Sequence, residues 1–354
     1  MSIFKNFNIA PADSPESSDV ISNVKDIVSS GMWADGAAAL TAFFTSSVQS
    51  ASSAEHYLDV YAANPATDSN AKPQFSIAYG HIFGSGSAGT KGVTGNRASA
   101  AIYRQLSQTL LGPSEERFTF AGTGDHIQPD FIYALSVSRG QLREKMDPGN
   151  WELHMSASTS ASSVASDVIK LIDDSNSTTD PKVNQGGRVF NIVSGSIQSG
   201  TAVVKNTAIA QPGGSYGLFY PDLGLLIFNG VILNDSASMT CVTSSNVASG
   251  NVGKFYEKVK AGELFQSRRE EVITSQHYFC RVPNKEFNFS SNPTFATASD
   301  GSFTQATFFK NPKTFVTQVG LYNDAGELLA VAKLSKPLLK SYSREAIIKV
   351  KLDF

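Results

Sequence analysis

Two cysteines among 354 residues, Cys241 and Cys280, are too few for a disulfide framework. Neither belongs to a CxxC pair or stands at a zinc-finger spacing from a histidine, so the plain reading is two reduced thiols in a protein made in a cytoplasm. Charge is also scarce. Asp, Glu, Lys and Arg make up 17% of the chain, against roughly 25% in an average domain, and Ser, Thr, Asn and Gly fill the gap. That composition gives wide, uncharged polar surface, which suits close-packed subunits better than a freely diffusing enzyme. The net charge of −2 lacks the cation excess that drives polyanion binding, so no nucleic-acid partner is expected. Arg268-Arg269 is cancelled by Glu270-Glu271, while Lys333, Lys336, Lys340 and Arg344 read as a solvated edge of the last strands. Long hydrophobic runs are missing as well. The longest, 223–228, is strand length and far short of the roughly 20 residues of a membrane helix. Lys5 and Asn6 interrupt the apolar start, so no leader peptide is read there.

Catalytic patterns are equally thin. The histidines at 56, 81, 126, 154 and 277 form no HxH, HxxxH or HExxH spacing, and no metal or cofactor is expected. The glycine-rich stretch 84–92 resembles a phosphate loop until Lys91, where Gly92 replaces the hydroxyl that would hold magnesium. Asp173-Asp174, Glu115-Glu116 and Glu270-Glu271 are adjacent pairs. In a strand such neighbours point to opposite faces, which makes them poor acid–base partners. Asp125-His126 is the most catalytic-looking dipeptide, yet it has no evident nucleophile and follows a Gly-rich turn. The expectation is a protein that is not an enzyme.

What is present is strand pattern. Residues 56–62, 74–79, 131–138, 151–155, 188–193 and 216–228 read as strands, with the 98–111 segment a helix whose Ile102, Leu106 and Leu110 share a side. Asp147-Pro148-Gly149-Asn150 has the residues of a tight turn. The tracts 84–95 and 156–166 read as loops, and 254–271 as a helix weakened by Gly262. The end of the chain is clearest: 277–282, 314–322, 327–334 and 345–354 read as strands, the middle two joined by Asn323-Asp324-Ala325-Gly326 as a hairpin. At the start, Ser17 or Ser18 caps an expected amphipathic helix with Val20, Val24, Ile27 and Val28 on one face and Gly31 at its end. Such a helix cannot bury its stripe alone. The fold class is therefore mainly β with a few helices: β-sandwich-like domains plus a helical N-terminal arm. Its expected divisions are the arm at 1–50, a mixed strand-rich domain at 51–185, a β-rich region at 186–275 and an antiparallel β domain at 276–354. With 23 Phe, the aromatic clusters serve as core or interface. Val20, Val24, Ile27, Val28, Phe308 and Phe309 are the candidate interface residues.

Three stretches resemble virion structural proteins of T4-like contractile-tailed bacteriophages, those of cyanophages most of all. They are Asp147-Pro-Gly-Asn-Trp-Glu-Leu, the run from His277 through Cys-Arg-Val-Pro-Asn-Lys-Glu-Phe-Asn-Phe to Phe295, and Val319-Gly-Leu-Tyr-Asn-Asp-Ala-Gly-Glu-Leu-Leu-Ala-Val-Ala-Lys-Leu-Ser-Lys-Pro337. The resemblance runs from about residue 56 to the end. It implies a tail or baseplate subunit that is made in the host cytoplasm and forms a homo-oligomer or hetero-assembly with other virion structural proteins. It carries over no catalytic residue. Two other readings stand beside it: a receptor- or glycan-binding appendage using the loops 84–95 and 156–166, and a hydrolase built around Asp125 and His126.

Overall fold

A computed structural model of the chain describes residues 20–46, 56–84, 98–122, 127–157, 168–178, 182–205, 214–239, 250–297 and 300–354. In chain order the elements are strands β1 (Val20–Gly31), β2 (Ala39–Leu40), β3 (Tyr57–Tyr61) and β4 (Pro73–His81), then helix α1 (Ala98–Leu110) and strand β5 (Phe131–Val137). The short helix α2 (Arg139–Leu142) precedes β6 (Lys145–Ser156), β7 (Val168–Asp173), β8 (Lys182–Asn184), β9 (Gly187–Gln198) and β10 (Thr201–Val204). Next come β11 (Gly217–Tyr220), β12 (Leu225–Asn229) and helices α3 (Gly230–Ser236) and α4 (Asn251–Gly262). The chain closes with β13 (Phe265–Val282), β14 (Lys313–Tyr322), β15 (Leu328–Ser341) and β16 (Ala346–Asp353). The fold is mainly β with a few helices.

The chain divides into two compact units. One is Val28–Glu271; the other combines 1–27 with Val272–Phe354. The division expected at 185/186 falls inside the first.

In the Val28–Glu271 unit the strand order is β13-β6-β7-β9-β11-β12-β5-β4-β3. The two ends of that row are joined. Leu40 of β2 pairs with Phe265 of β13, and Phe44 exchanges both backbone hydrogen bonds with Tyr61 of β3, at 3.0 and 2.9 Å. The sheet therefore closes on itself, which removes the long free edges an open sheet exposes. One continuous core fills it, drawn from one face of the strands: Phe75, Ile77 and Tyr79 of β4, Phe131, Tyr133 and Leu135 of β5, Trp151 and Leu153 of β6, and Leu226 and Phe228 of β12. Phe265 of β13 lies 5.6 Å from Phe75 of β4, a contact between elements near opposite ends of the strand order that closure brings together, and Trp33 packs on Phe265 at 4.7 Å. Helix α4 packs into the same core. Phe255 stacks on Tyr133 at 5.1 Å, and the Tyr256 hydroxyl donates to the Phe43 carbonyl at 2.9 Å.

Helix α1 covers the other face of the sheet. Tyr103 and Leu110 pack with Ile132, Ala134 and Ile227. β5 is thus buried on both faces. The buried side of α1 runs through Ser99, Tyr103, Ser107 and Leu110, with Ile102 and Leu106 on its flank.

Four local expectations are corrected. The N-terminal segment is strand β1, not an amphipathic helix. Five of its twelve residues, Val20, Ile21, Val24, Ile27 and Val28, are β-branched and favour extended backbone, and β13 supplies the neighbouring ladder. The three-and-four spacing of valines fits either period at this length. Asp147-Asn150 is a bulge within β6 instead of a turn between strands: Met146 pairs with Arg269 and Trp151 with Ser267, so four residues loop out opposite one. Gly149 there has φ +78, and the Asp173 carboxylate accepts its N–H at 2.8 Å. The 254–271 helix stops at Gly262, and the chain is extended from Phe265 onward. Finally, β15 continues past 334 to Ser341.

In the second unit, β16 pairs antiparallel with the C-terminal half of β13, from Ser275 opposite Asp353 to Val282 opposite Ala346. Ile348 and Val350 face inward and are buried while Lys349, Lys351 and Asp353 are exposed. β14 and β15 form a separate two-stranded sheet.

Candidate interaction surface

Exposed apolar side chains are unevenly distributed. Among the described residues, twelve of the nineteen exposed large hydrophobics belong to the unit formed by 1–27 and Val272–Phe354, which is under a third of the chain. The candidate interaction surface is therefore on this unit and comprises the β14–β15 hairpin, the loop 283–312 and β16.

The hairpin turns at Asn323, where Gly326 adopts φ +81, the Asn323 N–H donates to the Glu327 carbonyl at 3.0 Å, and the Glu327 N–H donates to Asn323 Oδ1 at 2.7 Å. The strands pair from Lys313 opposite Ser341 to Tyr322 opposite Leu328. The partner of β14 jumps from Leu338 to Lys333 as β14 advances from Val316 to Gln318, so a bulge on β15 holds Pro337, whose ring has no N–H to pair. Phe315, Leu328, Leu329 and Val331 all remain exposed, Leu329 by 68%. A two-stranded sheet is marginal alone in water, and it normally gains stability from a third strand or a packed face.

The loop 283–312 has its own aromatic core. Buried Phe295 packs edge-on against Phe289 and Phe303, both at 5.6 Å, and stacks on Phe308 at 5.0 Å. A 3-10 turn, Ala306–Phe309, turns Phe308 toward that core and leaves Phe309 83% exposed beside a shallow cleft lined by Ala306, Thr307 and Lys310. Of the candidate interface residues, Phe308 is thus half-buried and Phe309 outward. Ile27 is 67% exposed, Val28 less so, and Val24 is half-buried on β1; Val20 opens that strand.

Polar anchors hold the loop to the hairpin. Lys340 is buried, and its ammonium donates to the Asn284 carbonyl and Asn288 Oδ1 at 3.0 Å each and to the Ser341 carbonyl at 3.1 Å. All three donors are satisfied by neutral oxygens, and burial lowers the lysine pKa. The Thr314 hydroxyl donates to the Phe287 carbonyl at 2.7 Å. Asp300 accepts from the Thr297 hydroxyl and from the Ser302 N–H and hydroxyl, which brings its pKa down to about 2 and closes that turn.

Three buried acidic groups, Glu152, Asp173 and Asp174, accept hydrogen bonds from the surrounding fold. Glu152 is buried on β6. Burial raises its pKa, but the His154 ring at 2.5 Å, the Ile197 N–H at 2.6 Å and nearby Lys170 outweigh that and hold it below the usual value. Asp173 is pushed up by burial although the Gly149 and Ser175 N–H groups donate to it, and Asp174 accepts from Asn191. His81 is buried and stacks on Phe131. Asp125, His126, Cys241 and nearly all of the 84–95 and 156–166 tracts lie outside the described residues. Among the described residues there is no group of three His, Cys, Asp or Glu placed to hold a metal ion, and no helix long and apolar enough to cross a membrane. No family model, curated protein or solved structure matches the chain.

The sequence pointed to Phe308 and Phe309 but not to Phe315, Leu329, Val331, Ile347 or Phe354. One signal could have found the hairpin: from Thr314 to Asn323 the chain carries no charge.

Proposed function

We propose that the chain is a structural subunit of a phage virion, of its tail or baseplate, acting through protein–protein contacts rather than catalysis. The observation that carries this reading is the concentration of exposed apolar side chains on the C-terminal unit. Six exposed aromatics there, Phe289, Phe309, Phe315, Tyr322, Tyr342 and Phe354, leave 43 to 83% of their surface open. At about 200 Å² per ring side chain this is roughly 700 Å², close to the ~800 Å² one partner contributes to a stable interface. Apolar exposure gathered on one unit in this amount supports a role in protein–protein contact. The resemblance of 277–295 and 319–337 to tail and baseplate proteins falls on the same unit.

The test is mass spectrometry of purified virions separated into heads, tails and baseplates. The chain is expected at fixed stoichiometry in the tail or baseplate fraction. Recovery only from infected-cell lysate, with none in particles, overturns the proposal.

A further inference from the structure

The two long edges of the β14–β15 hairpin differ. β15 carries the devices by which edge strands resist pairing: Lys333 and Lys336 along its length, and a bulge containing Pro337. β14 has none of them. Its ten residues, Lys-Thr-Phe-Val-Thr-Gln-Val-Gly-Leu-Tyr, include one charge, Lys313 at the first position, and no proline. Its register against β15 shifts twice, between Val316 and Gln318 and between Leu321 and Tyr322, each time with the extra residues on β15, and no other strand among the described residues lies on its outer edge. An uncharged strand presenting a row of backbone donors and acceptors is a template for strand addition.

The pattern along β14 also says what fits there. Pairing antiparallel with itself about Gln318 sets Phe315 against Leu321, Val316 against Gly320 and Thr317 against Val319. The same register brings Lys313 of each copy beside Asn323 and Asp324 of the other, so unlike charges meet at both ends and none lies between. A slip that centres the pair on Thr317 puts Lys313 against Leu321 and separates it from Asp324. An isologous two-fold contact requires this kind of self-complementarity.

We propose that the outer edge of β14 is occupied by β14 of a second copy of this chain, antiparallel about a two-fold axis at Gln318, giving a four-stranded sheet. This rests on the reading of the chain as an assembly subunit and names its first partner. The two-fold sets residue 318 opposite itself, so charge there is diagnostic. The full chain is expected to sediment as a dimer at micromolar concentration. Gln318→Lys and Gln318→Glu each place like charges face to face and are expected to sediment as monomers, whereas an equimolar mixture of the two regains the dimer. Regained association shows that both variants fold. A monomeric wild-type chain overturns the proposal, as do variants that dimerise like wild type or a mixture that stays monomeric. If the chain is nevertheless found in tails or baseplates, the assembly reading stands and the edge belongs to a different virion protein. Absence from particles together with a dimer that obeys the charge swap separates the two in the opposite sense.

Discussion

Replacing glycine by alanine at two helical positions should have opposite effects on the Val28–Glu271 unit. Gly140 lies in α2 and Gly262 is the last residue of α4. Helix propensity alone favours alanine at both by up to about 1 kcal/mol. A Cβ at Gly140 meets nothing within 4 Å, so that gain is retained. A Cβ at Gly262 would lie 2.2 Å from the His154 carbonyl oxygen, 2.4 Å from its carbon and 2.8 Å from the Met155 nitrogen. All three are backbone atoms of β6, and the neighbouring ladders fix them, with Leu153 opposite Phe265 on one side and His154 opposite Lys170 on the other. β6 cannot retreat without breaking those pairs. Overpacking of this kind costs about 1–3 kcal/mol or more, which exceeds the propensity gain. The two variants should therefore differ by roughly 3 kcal/mol, a separation of about 1 M in urea midpoint for an m-value near 3 kcal/mol/M. Tryptophan fluorescence is the suitable probe. The two tryptophans of the chain, Trp33 and Trp151, both lie in the core of this unit and report on it alone. Equal midpoints for Gly140→Ala and Gly262→Ala would refute the packing of α4 against β6.

Three further perturbations test other contacts. Lys340→Met leaves three oxygens without their donor, at about 1–3 kcal/mol each, partly offset by relief of the buried charge; faster amide exchange in β15 and the loop 283–312 is the expected readout. The folded pKa of Lys340 lies below that of a free lysine, so the unfolded chain keeps its proton longer. Stability of the C-terminal unit should accordingly rise with pH between the two values, and Lys340→Met should remove that slope. Glu152→Gln gives up charge-assisted hydrogen bonds to His154 and the Ile197 N–H, a loss of about 2 kcal/mol at neutral pH. Because the Glu152 pKa is depressed, its contribution is present above the ordinary carboxylate value and fades as pH falls through the folded one; a urea series in acid should show wild type and variant converging. Asn229→Ala removes the cap of α3, whose side chain accepts from the Val231 and Ile232 N–H groups, and should lower the fluorescence-monitored stability by about 1 kcal/mol.

Much of the fold was legible because strand signals here are local. The segments 131–138 and 345–354, read as strands, contain β5 and β16, and Asn323-Asp324-Ala325-Gly326 marked the hairpin that the structure contains. What failed were segments whose identity depends on a partner distant in sequence. β1 satisfies a helical spacing as well as a strand, and only β13, more than 200 residues away, decides between them. The β6 bulge reads as a turn because its residues are those of a turn; it is the Asp173 carboxylate, with the ladder to β13, that keeps the strand continuous around it. Closure of the sheet could not be read at all, since β2 is two residues long and Phe44 pairs with Tyr61 through one isolated bridge. The interaction surface was half legible. Phe309 stood out by type, whereas the hairpin edge is defined by missing charge, a weak signal until the strand is known to have no further strand among the described residues on its outer side.

The two units follow opposite rules for the same hazard. In Val28–Glu271 the row of strands closes on itself, and aromatics as large as Trp33, Trp151 and Phe255 are sealed within it. The C-terminal unit breaks that rule repeatedly. It has a hairpin that no third strand among the described residues joins, Phe309 and Phe354 among the most exposed aromatics of the described residues, and a buried lysine stabilising the loop that presents Phe309. Loose folding is a poor explanation, because the exposure is supported by specific contacts: four phenylalanines cluster so that a fifth points outward, and Lys340 and Thr314 bind the loop beneath it. Nor is the edge uniformly neglected, since β15 is guarded by lysines and a bulge and only β14 is left open. A sequence that guards β15 with lysines and a bulge, and leaves β14 uncharged after Lys313, treats the two edges of one hairpin differently, and that asymmetry is the ground on which we propose β14 as the first contact of assembly.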